Sequence, residues 1–335
     1  MIGDRMRVLW EAVFCGNFLI FAVMMLVVPF LSAGGARHSK QTLKISLEEV
    51  LSIGSLEDGA LFQWVGVVRD SQKFIYVTDA MDYALKKFDS EGKLVKRAGG
   101  KGQGPGEFSA PRLLDCSEKY LFVTEQYMPV IKVFDKDLRH RFDIPLRAPV
   151  GDMKVLADDL VAVVVLTARR TSAVLFCNQK GEVVRKLEFS GDVESVLMDM
   201  VSLDLDAQGN LYLAYNFADR IEKYSRSGKR MWSRNLLGIK KVERKKVSSF
   251  VVPTEIVYKD IAMDGSGNVY VLGGELSKKR SRDVYVLSPD GKHLATFTLP
   301  ESSHCIYIDA DKFLYTRANE GITLKKYRMV LSREK

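Results

Sequence analysis

The side chains with the greatest chemical reach in this sequence are basic. Lys240, Lys241, Arg244, Lys245 and Lys246 stand close together with Glu243 among them; Lys278, Lys279, Arg280 and Arg282 form a second group, and Arg169 and Arg170 a third. Together these groups carry +10, against +8 for all 335 residues, which leaves the rest of the chain near −2. Such a concentration of one sign gathers anions and is weakened by salt. Histidine is scarce, with only His38, His140, His293 and His304 in the chain. Cys116, Cys177 and Cys305 sit beside or within apolar runs and read as buried free thiols. The chain has no Gly-x-Ser-x-Gly elbow, and no Cys–His nucleophile pair can be argued. The Gly-rich run from Ala98 to Pro111 suggests a phosphate loop, but such a loop must open a helix whose free amides meet the phosphate. Here Phe108 and Pro111 lead into a strand-like run.

The elements that must position these groups are short and repeated. With 47% hydrophobic and 27% charged residues the chain is globular, and four cysteines are too few for a disulfide-built scaffold. Beyond residue 42, β-branched and aromatic runs alternate with turn signals, an all-β pattern. One turn series begins at Asp70, Ser117, Ala157, Asp206, Asp264 and Asp309, in steps of 47, 40, 49, 58 and 45 residues. Each is followed by an apolar strand. A second series begins at Asp89, Asp135, Asn178, Ser225 and Ser288. Asp, Asn and Gly suit tight hairpins through side-chain capping and positive φ. A period in the forties with several strands per unit predicts propeller blades, here six. The sixth unit runs out after Ile322–Tyr327, its third strand. Leu47–Gly54 lines up with Lys93–Gly100, the outer strand of the first unit, and is expected to complete the last blade.

The amino terminus has a different composition. Residues Ala12 to Ala36 are uncharged, Arg5 and Arg7 precede them, and Ser32–Ala36 are small. Basic start, apolar middle and small-residue end form the three parts of a secretory signal. The span is also long enough for a membrane anchor, as an N-terminal hydrophobic helix. The expected organisation is a signal peptide or anchor over 1–36, a linker over 37–44, a six-bladed β-propeller over 45–330 and a tail over 331–335. The chain is therefore expected outside the cytoplasm, periplasmic or extracellular, or tethered through 12–36.

The run Ala98–Pro111 resembles the signature of the NHL-repeat family of six-bladed propellers, in which a Gly-rich loop ending in Phe and Pro links neighbouring blades. Ile53–Phe62 is a degenerate copy, Asp206–Leu213 and Asp264–Val271 resemble the family's inner hairpin, and Asp219–Tyr224 resembles its third strand. The resemblance covers about residues 45 to 330 and implies that the loops between second and third strands share one face with the interblade connections. It places all three basic groups there, with the longest connection running from Trp232 to about Val257. Among the histidines, only His304 is then placed to face the channel, which excludes a three-His zinc site of the kind used by a lyase relative. Lactonase-like relatives hold calcium with oxygen ligands, and Glu125, Asn216, Asp219 and Asn319 stand in loops where a calcium ion is possible.

These readings together predict a binding and recognition propeller, without a required cofactor or catalytic residue. Its partner is a protein, an anionic glycan or a lipid headgroup. A calcium-dependent hydrolase and a purely structural envelope ectodomain are the alternatives. Nucleic acid fits poorly, because no aromatic residue interleaves with the basic stretch Ile239–Val247 to stack on bases.

Overall fold

The computed structural model describes residues 43–126, 128–165, 172–189, 199–247, 250–276 and 279–333. The proposed signal or anchor over 1–36 lies outside the described residues, as do Arg169, Arg170 and Lys278. No helix among the described residues is long and apolar enough to cross a membrane.

The described chain is an all-β, six-bladed propeller with one antiparallel sheet per blade. Blade 1 covers 64–99, blade 2 covers 111–145, blade 3 covers 150–189, blade 4 covers 201–234, blade 5 covers 256–298 and blade 6 covers 306–333. The first strands of successive blades are Trp64–Arg69, Pro111–Cys116, Val150–Val155, Val201–Leu205, Ile256–Met263 and Ile306–Ile308. Each first strand lies at one edge of its sheet and pairs with the second strand alone. Leu43–Ile53 lies in the sheet of blade 6, antiparallel to Thr323–Arg333, with Leu43 opposite Arg333 and Ile53 opposite Leu324. This strand begins inside the expected linker, and its partner ends inside the expected tail.

Both turn series become hairpins. In blades 4 and 5, Asp206 Oδ1 accepts the amides of Gln208 and Asn210, and Asp264 Oδ1 those of Ser266 and Asn268. The left-handed position in these turns is taken by Gly209 and Gly267, at φ 76° and 82°. Lys73 and Lys312 occupy the same position in blades 1 and 6 at φ 74° and 64°, despite the cost of a Cβ there.

The core lies between blades. One apolar cluster fills each of the six seams; Leu85, Phe108, Leu121 and Phe134 contribute to the first, and Ile53, Trp64, Tyr315 and Leu324 to the seam between blades 6 and 1. Large side chains buried this completely contribute about 1.5–3 kcal/mol each, so every seam is a substantial adhesive surface. The Gly-rich loop serves such a seam. Phe108 is fully buried against Phe134, and its backbone pairs with Gly100 and Gly102. Blades 1 and 2 approach closely at Gly66, where a Cβ would lie 2.7 Å from the Leu114 nitrogen.

Candidate functional site

The first strands carry an unexpected repeat. Asp115, Asp152, Asp204 and Asp260 each accept the amide of the next residue with one carboxylate oxygen. The other oxygen accepts an amide from the following blade: Val155 at 2.7 Å, Leu203 at 2.7 Å, Met263 at 2.9 Å and Ile306 at 2.8 Å. Four seams are thus bridged by carboxylates within the channel wall. Lys154 lies among them, 3.5 Å from Asp204.

This arrangement displaces the proton affinities. Burial pushes Asp260 up to about 8, with the neighbouring Asp152 adding to the effect. Burial pushes Asp152 up to about 6, against the pull of the amides it accepts. Burial alone would discharge Lys154, but Asp204, Asp115 and Asp152 outweigh it and hold its ammonium above the ordinary lysine range. One signal for this cluster is readable in the sequence: an Asp in the first strand of each of blades 2 to 5, where strands are normally poor in Asp.

Against Asp152 and Asp260, at the ends of the first strands nearest the interblade connections, lies a cavity of about 400 Å³. Residues from all six blades line it, a size and position suited to a small ligand. Arg112, Lys259, Arg317 and His304 bring basic groups, Asp152 and Asp260 line its wall, and Leu113, Val164, Met200, Phe217 and Ile256 give it apolar surface. Arg112 donates to the Val150 carbonyl at 3.2 Å and Arg317 to that of Glu320 at 3.0 Å. Lys259 donates to the Ser303 carbonyl at 3.3 Å and lies 3.7 Å from Glu275. Burial lowers the Lys259 pKa, and it also lowers that of His304, assisted by Lys259, Arg317 and Arg280. His304 is therefore a neutral ring in a cationic setting. It lines the channel, whereas His140 and His293 lie on outer strands beside Asp143 and Thr296. Burial raises the Cys305 thiol to about 12, so this cavity residue is no ready thiolate.

The four calcium candidates are engaged elsewhere. Glu125 accepts the amides of Ser109 and Ala110, and Asp219 those of Leu236, Leu237 and Ile239, so both anchor interblade connections. Asn216 donates to Ser202 and to the Tyr258 carbonyl, and Asn319 donates to Thr323. Asn216 lines the channel cavity. Among the described residues no group of three or more His, Cys, Asp or Glu side chains is disposed to hold a metal ion.

The long connection between blades 4 and 5 is more ordered than a loop. Arg244–Val247 and Phe250–Pro253 form a two-stranded sheet of their own, separate from the blade sheets. Lys245 and Lys246 lie on its first strand, Lys240 and Lys241 precede it, and all four are exposed. A cavity of about 240 Å³ beside the hairpin is lined by Lys240, Lys241 and Arg244, and shares Phe217 with the channel cavity. The second basic group is partly neutralised. Arg280 pairs with Glu275 and Glu320, and Arg282 donates to the Pro300 carbonyl, while Lys279 is exposed on a short strand. Sequence reasoning found the charge but missed the hairpin, because three consecutive basic residues, Arg244, Lys245 and Lys246, hide its strand alternation.

Comparison with known proteins bears on the fold. Residues 55–136 match the model of a family described as a 6-bladed beta-propeller, DUF5128. None of the curated proteins matches. A member of the duf4221 family from Bacteroides vulgatus is 12% identical with a TM-score of 0.63, over 88% of this chain and all of that one. A virginiamycin B lyase from Staphylococcus aureus is 10% identical, TM-score 0.53, over 86% of this chain and 100% of that one. A gluconolactonase from Xanthomonas campestris is 12% identical, TM-score 0.52, with the same coverage of 86% and 100%. At such identities the likeness is one of architecture, and the fold it supports is the six-bladed β-propeller.

Proposed function

We propose that the protein is a recognition propeller acting outside the cytoplasm, whose basic hairpin engages an anionic partner: a protein, an anionic glycan or a lipid headgroup. The observation that carries this reading is the hairpin itself. Lys245 and Lys246 are held on an ordered two-stranded sheet and exposed, with Lys240 and Lys241 beside them. Basic residues fixed in place lose less freedom on binding than those on a floppy loop. In this reading the apolar segment 12–36 serves export or tethering, and the strand Leu43–Ile53 closes the ring so that the platform is rigid. Kinship with NHL-repeat propellers belongs to the same reading.

The likeness to a lyase and a gluconolactonase suggests catalysis as the rival, although two of the four calcium candidates, Glu125 and Asp219, already accept backbone amides of the interblade connections. The test replaces Lys240, Lys241, Lys245 and Lys246 together by Glu and compares elution from a sulfated-polysaccharide matrix. The variant should elute at clearly lower salt with an unchanged melting temperature. Unchanged elution overturns the proposal.

A further inference from the structure

We propose that the channel cavity is a separate binding site for a small organic anion with an apolar body, its carboxylate or sulfonate seated among Arg112, Lys259 and Arg317. Three observations converge. The first is charge that is incompletely paired. Arg112 and Arg317 each donate to a backbone carbonyl, and neither guanidinium has a carboxylate in ion-pair contact among the described residues, although Asp152 and Glu320 are near enough to feel their charge. Lys259 is nearly enclosed, with 4% of its side chain exposed, and its ion pair with Glu275 is long, at 3.7 Å. A charge held in so enclosed a place acts on a ligand with little screening.

The second observation is the surface beside those cations. Leu113, Val164, Met200, Phe217 and Ile256 line the same cavity. A simple inorganic anion would leave that surface wet, whereas an acid carrying an aromatic or aliphatic body covers it. The volume of about 400 Å³ accepts such a molecule but not a folded protein segment or a long polymer. The third is the floor. Asp152 and Asp260 already accept two backbone amides each, so their oxygens are satisfied by the fold and need no ligand cation. Polar selection therefore falls to the three cations, with neutral His304 and Asn216 as further hydrogen-bonding groups on the wall.

The inference is independent of the hairpin. Replacing Lys240, Lys241, Lys245 and Lys246 should leave it untouched. The experiment is calorimetric titration of the full chain with 1-naphthaleneacetate, 1-naphthalenesulfonate and the uncharged 1-naphthaleneacetamide. At least one anion should bind with one-to-one stoichiometry, and the amide should bind at least about tenfold more weakly. Arg317→Met and Lys259→Met should each weaken the anion by about tenfold, and Val65→Phe, which fills the cavity while removing no polar group, should abolish binding. Far-UV circular dichroism and melting curves confirm that each variant is folded, and Val65→Phe decides the matter if a cation variant is not. The proposal is overturned if no anion binds up to about 10 mM, if the amide binds as well as the acids, or if folded Val65→Phe binds undiminished.

Discussion

The guanidinium of Arg69, in the first strand of blade 1, lies 3.0 Å from the carboxylate of Asp309 in blade 6, with 6% and 1% of the two side chains exposed. Asp309 also accepts the Tyr315 hydroxyl at 2.9 Å and the Phe313 amide at 2.9 Å, so its carboxylate is fully engaged, whereas the buried Arg69 Nε has no hydrogen-bond partner. Asp311 holds the same guanidinium from the solvent side at 2.8 Å. Removing one partner of a buried pair strands the other charge, at a cost of about 3–5 kcal/mol. Arg69→Met should therefore destabilise by an amount near the lower end of that range, because Asp309 keeps two other donors. In a double-mutant cycle by chemical denaturation, Asp309→Asn should recover part of the loss. Strict additivity would show that the pair does not couple the two blades.

The aspartates of the channel wall make a parallel prediction. Asp204 satisfies the amides of Leu205 in its own strand and Met263 in the next blade. Asp204→Ala leaves both donors without that acceptor and should cost about 2–4 kcal/mol. Asp204→Asn retains one good acceptor and should cost about half as much. Hydrogen exchange provides the check, since Met263 should lose protection in the alanine variant before the rest of blade 5 does. Equal protection in both proteins would mean that the interblade bond is dispensable.

Stability should depend on pH in a direction opposite to that set by ordinary surface carboxylates. Burial raises Asp260 to about 8 and Asp152 to about 6, from a reference of 3.8. The folded protein then holds protons that the unfolded chain releases between about pH 4 and pH 8. Stability contributed by these groups is full below the unfolded value and is lost as pH rises through the folded ones. The groups around Asp260 include Asp152, which opposes its charge, and Lys154, which favours it; Lys259, His304, Arg317 and Cys305 line the same cavity. Melting temperature should fall from pH 5 to about pH 8 and then level off. A rise across that interval would show that both carboxyls are ionised at neutral pH.

Local features of the fold were legible in the sequence, and the site was not. The turn at Asp206 is written in five consecutive residues, because Asp206 caps Gln208 and Asn210 and Gly209 takes the positive φ. The period of these turns supports six blades. The channel aspartates bond to residues 40 to 59 positions away, a distance set by the uneven lengths of the blades, so no local pattern names the partner. Arg112, Lys259 and Arg317 are single basic residues inside strands, with nothing local to set them apart beside the clustered lysines. Only the circular arrangement of first strands brings them to one cavity. His304 was the exception, since its place at the start of a first strand pointed to the channel.

The strand Leu43–Ile53 offers a last prediction. It pairs along almost its whole length with Thr323–Arg333, and Ile45 and Ile53 are buried at 7% and 2% exposure. Ile53 shares a cluster with Trp64 and Leu324, and the Trp64 indole donates to the Thr323 carbonyl at 3.0 Å. Removing residues 1–54 would uncover an eleven-residue strand edge and two seam-facing isoleucines. Burial of those side chains contributes about 1.5–3 kcal/mol each, and an open edge of that length invites pairing between molecules. The truncated chain should melt at a lower temperature and associate in a concentration-dependent way, and a peptide of residues 43–53 added in trans should reverse both effects. Ile53→Asp in the full chain is the complementary variant, since it disturbs the seam while keeping the strand. If truncation changes neither melting nor association, the sixth sheet is stable without its outer strand, and the rigidity assigned to the platform must come from the seams alone.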